Sequence, residues 1–150
     1  NTPASVGKGV TAAIGNARVT DADRALCDDL LSSIGSVVWL SQEGEMDAVT
    51  ALSGSGPAYV FALAETMAAA GEKLGLEPEL AKQLARATVA GAGAMLDQMP
   101  DDAAVLRQNV TSPGGTTAAA LDVLLGEDGL WQLMRTAMGA ARARSRELSK

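Results

Sequence analysis

Residues 58–70 of the chain read AYVFALAETMAAA, and residues 84–96 read LARATVAGAGAML. Each stretch carries only two strongly polar side chains, Glu65 and Thr66 in the first and Arg86 and Thr88 in the second. A helix that is apolar nearly all round has to be buried nearly all round. A chain of 150 residues offers two such helices little interior. We therefore expect a second copy to cover them, in a homodimer or a larger homo-oligomer; the alternative is an Ala-rich, half-exposed helix pair, since alanine tolerates either environment.

The sequence around these two stretches predicts a mainly α fold preceded by a short βαβ segment. The domain boundary is predicted at residue 43, with the βαβ segment in 1–43 and a helical domain in 44–150. Gly35 is expected to close the first helix, and Ser53-Gly54-Ser55-Gly56-Pro57 to form a tight corner between helices, with Ser55 as a cap. Strands are predicted at 9–14 and 36–40, and helices at 20–34, 45–52, 57–74, 79–99, 103–108, 114–125 and 129–148.

Composition excludes several classes of function. The net charge is −6 with no basic stripe outside the C-terminal helix, so nucleic acid is not an expected partner. The chain has no histidine and one cysteine, Cys27, so His-based catalysis is impossible within it and a metal site is not expected. No apolar run reaches the ~20 residues of a membrane span. A small-molecule ligand remains as the expected partner.

The segment Asn109-Val110-Thr111-Ser112-Pro113-Gly114-Gly115-Thr116-Thr117 carries the clearest chemical signal. Two adjacent glycines allow close approach to the backbone, hydroxyl groups flank them, and an apolar helical run follows at once. The first N–H groups of a helix lack partners inside the helix, and the helix dipole places partial positive charge there. The segment therefore predicts a binding site for a phosphate or a carboxylate. The alternative interpretation is an ordinary capped helix start.

The chain resembles the pyrroline-5-carboxylate reductases over its whole length. The resemblance rests on motifs that recur in this order and rough spacing: Asn1-Thr2-Pro3, Gly9-Val10-Thr11, the stretch from Ala51 to Tyr59, and the stretch from Asn109 to Thr117. That family reduces the imine of 1-pyrroline-5-carboxylate to L-proline with NADPH or NADH. Its fold is a Rossmann domain followed by a helical dimerisation domain. The resemblance implies a cytoplasmic enzyme of proline biosynthesis, in which residues 1–43 are the tail of the nucleotide-binding domain.

The resemblance also implies roles for particular residues. Backbone amides of Gly115, Thr116 and Thr117 would hold the substrate carboxylate, and the Thr117 hydroxyl would hydrogen-bond the ring nitrogen as the catalytic group. The nicotinamide side of the site would be formed by Asn109, Val110 and Ser112. Hydride addition to a C=N bond needs positioning and a protonated nitrogen, but neither a nucleophile nor a metal, which suits a site of amides and hydroxyls.

One departure from the family concerns the nucleotide-binding unit. The chain begins at the family's Asn-Thr-Pro motif and contains no strand–GxGxxG–helix unit. We therefore expect the Rossmann domain to be missing and the 150 residues alone to be inactive. A non-catalytic helical dimer that binds small anions stays open as an alternative. So does the helical domain of a hydroxy-acid dehydrogenase, although neither mid-chain lysine, Lys73 or Lys82, lies beside a glycine-rich turn.

Overall fold

The computed structural model describes residues 1–149 and confirms the mainly α fold with a small parallel sheet at the N-terminal end. Short 3₁₀ helices occupy Thr2–Val6 and Glu43–Glu45, and a π-helix occupies Thr50–Gly54. The regular elements of the described residues are β1 Gly9–Ala13, α1 Asp21–Ser32, β2 Gly35–Trp39, α2 Met46–Val49, α3 Gly56–Lys73, α4 Pro78–Gln98, α5 Ala103–Asn109, α6 Thr116–Leu124 and α7 Leu130–Leu148.

The first three elements form the expected βαβ unit. β1 and β2 pair in parallel, with Gly9 opposite Gly35 and Ala13 opposite Trp39. Helix α1 connects them and starts at a capping box, in which the Thr20 hydroxyl accepts the Asp23 amide at 3.2 Å. In return, the Thr20 amide and hydroxyl donate to the Asp23 carboxylate at 2.8 and 2.7 Å and hold the pKa of Asp23 below its usual value.

Gly35 does not close α1 as the sequence predicted. Helix α1 ends at Ser32 with Ser33 as its cap, and Gly35 is the first residue of β2, with a φ of 149°. A Cβ at Gly35 would overlap the backbone of Gly9 on the neighbouring strand. Gly35 is therefore required because the two strands lie close together at this point. The sequence pattern of α1, on which the prediction was based, contains no information about that pairing.

The predicted helix at 45–52 is replaced by two different helical segments. Helix α2 has only four residues and passes directly into the π-helix, whose closing bond runs from the Ser55 amide to the Thr50 carbonyl at 2.8 Å. The Tyr59 hydroxyl donates to the Ala51 carbonyl at 3.0 Å, and the Asn1 side-chain amide donates to the Ser53 carbonyl at 3.0 Å. The tight corner before α3 is present, and these two side chains secure it.

The C-terminal helix is tied to α2 through one carboxylate. The Ser145 hydroxyl donates to Asp47 Oδ1 at 2.7 Å, and Arg146 Nε lies 3.4 Å from Asp47 Oδ2. Asp47 is only 23% exposed, so this ion pair is better shielded than the two surface pairs, Lys82–Glu79 and Arg144–Glu147. Long-range polar contacts thus hold together segments 98 residues apart in the sequence.

The chain forms two compact units. One contains Asn1–Tyr59 together with α7 from Thr136 onward, and the other contains Val60–Arg135. The chain passes between them within α3 and within α7. The predicted boundary at residue 43 separates the βαβ segment from the helices, and it differs from this division.

Very little of the apolar surface is buried within one chain. The buried hydrophobic residues are Ala51, Ala68, Ala81, Ala85 and Leu106. The accessible surface of the chain is 10962 Å². Large side chains on α3 and α4 stay exposed, including Phe61 at 64% and Leu96 at 55%. The two helices that contain the predicted apolar stretches are therefore left without cover within one chain.

Residues 1–149 contain neither a membrane-spanning helix nor a cluster of metal ligands. None of their helices is both long enough and apolar enough to span a bilayer. Among the same residues, no group of three or more His, Cys, Asp or Glu side chains is arranged to hold a metal ion.

Candidate functional site

The glycine pair after α5 forms a tight turn before α6. The Gly115 amide donates to the Ser112 carbonyl at 3.0 Å, which closes a four-residue turn with Pro113 and Gly114 at its centre. Gly114 has a φ of 71°. Proline second and a positive-φ glycine third are the residues that a type II turn requires. This turn delays the start of α6 to Thr116, two residues later than the sequence predicted.

Three backbone amides at the start of α6 are left without partners. The first bond back into the turn is from the Ala119 amide to the Gly115 carbonyl, at 3.2 Å. The amides of Thr116, Thr117 and Ala118 have no hydrogen-bond acceptor within residues 1–149. No side chain caps this helix, and no acidic residue lies in its first turn. The ordinary capped start is therefore not what the structure contains, and donors aligned with the positive end of the dipole remain available.

The structure changes the expectation for the Gly115 amide. This N–H group is used inside the turn, so the free donors are those of Thr116 and Thr117, both predicted, and of Ala118, which sequence reasoning missed. The rule that the first helical amides lack partners could have identified Ala118, had the helix start been placed correctly. A Cβ on Gly115 would lie 2.5 Å from Ser112 Oγ, so a larger residue at this position would displace the Ser112 side chain.

The hydroxyl groups around the turn have different environments. The Thr111 hydroxyl donates to the Arg107 carbonyl at 2.6 Å and so completes the end of α5. The hydroxyls of Thr117 and Ser112 make no hydrogen bond within the described part of the chain, and Thr117 is half-buried. Thr117 therefore offers a free hydroxyl one residue into α6, beside the free amides.

The residues predicted for the cofactor side lie at the other end of the same loop. Asn109 ends α5, Val110 caps it, and Ser112 opens the turn; all three are exposed. Val110 also lines an apolar groove of about 260 Å³ between the ends of α4 and α5, together with Met95, Leu106 and Arg107. Arg107 adds a positive charge to this groove, and the sequence analysis did not identify it. Its position, as a single cation one turn before the loop, could have indicated it.

Sequence comparison assigns a family to most of the chain. Residues 43–148 match the family model described as pyrroline-5-carboxylate reductase dimerisation. The pyrroline-5-carboxylate reductase of Pseudomonas aeruginosa is 44% identical over 150 residues, which are 100% of this chain and 55% of that protein. The chain thus spans about half the length of the curated relatives it matches.

Solved structures give the same result. A pyrroline-5-carboxylate reductase from Coxiella burnetii matches with a TM-score of 0.94 and 42% identity, over 100% of this chain and 55% of that one. The Plasmodium falciparum pyrroline carboxylate reductase, solved with NADP bound, matches with a TM-score of 0.83 and 34% identity, over 100% of this chain and 56% of that one. Both matches extend over the βαβ segment as well as the helices.

Proposed function

Because this chain belongs to the pyrroline-5-carboxylate reductase dimerisation family, we propose that it forms the dimer interface and the substrate-carboxylate loop of a reductase. The reaction is the conversion of 1-pyrroline-5-carboxylate to L-proline with NADPH or NADH. The observation that carries this proposal is the set of free amides at Thr116, Thr117 and Ala118, behind a turn built by Pro113 and Gly114.

The amides bind the substrate through its carboxylate. Hydrogen bonds to a charged group contribute about 1.5–3 kcal/mol each, and the helix dipole adds about 0.3–1 kcal/mol at an exposed helix end. The absence of acidic side chains in the first turn of α6 removes local repulsion. A small carboxylate can therefore bind here although the chain carries a net charge of −6.

Thr117 acts on the reacting end of the substrate. With the carboxylate on the amides, its free hydroxyl reaches toward the ring nitrogen and orients the C=N bond. The same hydroxyl stabilises the proton that the nitrogen carries as the carbon is reduced. The net change is the addition of one hydride to carbon and one proton to nitrogen, for which no nucleophile or metal is needed.

The donor set also fits a nicotinamide cofactor on the Asn109 side. Asn109 and Ser112 have side-chain polar groups that make no hydrogen bond within residues 1–149, and Val110 offers an apolar surface beside them. We assign these residues to the nicotinamide end. NADPH or NADH supplies the hydride when it is bound. We further assign residues 1–43 to the nucleotide-binding domain and residues 44–150 to dimerisation and substrate binding. From the family resemblance, we also propose that the protein is cytoplasmic.

A lysine-dependent hydroxy-acid dehydrogenase fits less well. The Lys82 ammonium donates a hydrogen bond to the Glu79 carboxylate at 2.7 Å. This hydrogen bond is the main reason that the pKa of Lys82 is raised above its usual value. Lys82 lies on α4, outside the turn that carries the free amides. The Lys82 ammonium is thus engaged by Glu79 rather than placed beside the glycine-rich turn.

The chain is expected to form a dimer at micromolar concentration. The apolar faces of α3 and α4 need cover, and an obligate interface buries about 2,000–5,000 Å² in total, which the exposed surface can supply. Sedimentation velocity should give about twice the 15.2 kDa of one chain. A monomer at this concentration would contradict the dimer and favour a half-exposed helix pair.

Activity is tested in a chimera with the Pseudomonas aeruginosa relative. This chain replaces the 150 matched residues of that protein, with which it is 44% identical. We expect NADPH oxidation that depends on added 1-pyrroline-5-carboxylate and yields L-proline. A chimera that folds and binds NADPH but gives no proline would favour the non-catalytic, anion-binding dimer instead.

A further inference from the structure

A concave groove runs between α3 and α4, within the unit Val60–Arg135. Its volume is about 520 Å³, and its apolar walls include Val60, Phe61 and Val89. Three charged side chains also line it, Glu65 from α3 and Lys82 and Arg86 from α4. The groove is thus an apolar surface that carries charges of both signs.

Small residues lie where α3 and α4 meet. Ala68 on α3 and Ala81 and Ala85 on α4 are buried, and a Cβ on Gly71 of α3 would lie 3.3 Å from the Ala81 Cβ. Val60 and Phe61, at the other end of α3, line the groove and are 46% and 64% exposed. The wide end of the groove is therefore open to a second chain.

The charges in the groove are not paired with one another. Lys82 is engaged by Glu79 at 2.7 Å, outside the groove. Glu65 and Arg86 line the same cavity but form no ion pair within 4.0 Å, either mutually or with another described residue. The Glu65 carboxylate and the Arg86 guanidinium are thus unpaired on a surface whose other walls are mainly apolar.

We propose that Glu65 of each subunit pairs with Arg86 of the other, in two symmetry-related ion pairs that set the register of the dimer. This inference rests on the dimerisation proposed above. The occupant is a second copy of this chain, because the groove lies inside the segment that matches the dimerisation family. The groove also carries both a carboxylate and a guanidinium, so that the groove of one copy has a charge complementary to each charge in the groove of the other. In a two-fold interface, a contact from residue i to residue j is repeated from j to i.

The cost of burial makes the pairing necessary. Covering an apolar groove removes water from any charge in it, and an unpaired buried charge is strongly unfavourable. A carboxylate and a guanidinium brought together across the two-fold axis satisfy each other in a bidentate geometry. Apolar contact between α3 helices alone would permit several sliding positions, whereas the two ion pairs permit one.

Charge-reversal variants test this pairing in the 150-residue chain. Glu65→Arg and Arg86→Glu should each raise the dimer dissociation constant at least tenfold, because each places two like-charged contacts in one interface. The double variant should restore the wild-type constant. An equimolar mixture of the two single variants should form heterodimers, since each variant supplies the charges that the other lacks. Glu127→Arg and Arg18→Glu make the same charge changes outside the groove and should leave dimerisation unchanged.

Each outcome of the experiment has one interpretation. Recovery in the double variant and in the mixture supports pairing between subunits. Recovery in the double variant without heterodimers in the mixture shows that the pair forms within one subunit, and overturns the proposal. Single variants that dimerise like the wild type overturn it too. A wild-type chain that is itself monomeric refutes the proposed dimer and the ion pair with it, whereas a dimer with unaffected single variants refutes the ion pair alone. Heterodimer formation also proves that both variants fold.

Discussion

Replacing Thr117 with valine is expected to lower kcat for the reduction of 1-pyrroline-5-carboxylate about 10²- to 10³-fold, the usual effect of losing one group that acts on developing charge. Valine keeps the shape and the β-branched character of threonine, so α6 and its free amides should persist. KM should change much less, because the carboxylate is held by backbone groups. Steady-state kinetics of the chimera with the Pseudomonas aeruginosa relative measure both constants.

Two matched variants give this prediction its specificity. Thr116→Val removes the neighbouring hydroxyl, which is exposed and follows the same turn, and should leave kcat near that of the unchanged chimera. Thr117→Ser keeps a hydroxyl at the same position and should recover most of the lost rate. If Thr117→Val turns over substrate as fast as Thr116→Val, Thr117 does not act on the reacting atoms.

Replacing Gly35 with alanine is expected to destabilise the chain by at least about 3 kcal/mol, from a positive-φ strain of 1–3 kcal/mol plus a steric overlap. The added Cβ would overlap the Gly9 backbone, and the φ of 149° is unfavourable for any side chain. Both effects weaken the pairing of β1 with β2. Chemical denaturation followed by circular dichroism measures the loss.

Two other glycines separate the causes of that loss. Gly7 has a φ of 70° but open space around its missing Cβ, so Gly7→Ala should cost only the ~1–2 kcal/mol of a left-handed conformation. Gly44 has neither a positive φ nor a near neighbour, and Gly44→Ala should change stability by about 0.5 kcal/mol or less. A Gly35→Ala variant as stable as Gly44→Ala would mean that the two strands do not pair as described.

Much of the helical architecture could be predicted from sequence because its causes are local. The apolar stretches at 58–70 and 84–96 lie inside α3 and α4, whose ends agree with the predicted ones within one residue. The helix predicted at 20–34 is also present, and the capping box at its start joins residues only three apart. The predictions failed where two helical geometries compete: residues 50–54 form a π-helix, although their composition resembles that of an α-helix.

The candidate site was partly predictable for the same reason. Pro113, Gly114 and Gly115 indicated a turn before a helix, and the turn is present. Which amides it leaves free depends on the residue at which the helix starts, and this is set by the bond from Gly115 to Ser112. The hydroxyl of Thr111 donates to the Arg107 carbonyl and is therefore not available to a ligand. Composition alone does not show whether such a hydroxyl bonds to a nearby backbone carbonyl or stays free.

The sequence by itself determined which segments are helical and that two of them are strongly apolar, and it predicted an anion site before α6. Helical periodicity, turn chemistry and unpaired helix amides all arise within a few residues of the chain. Only the tertiary structure decided that Asn1 holds the corner at Ser53, that Asp47 holds Ser145, and that Glu65 and Arg86 face one groove without pairing. Such contacts depend on the path of the chain between distant residues, and no local pattern specifies that path.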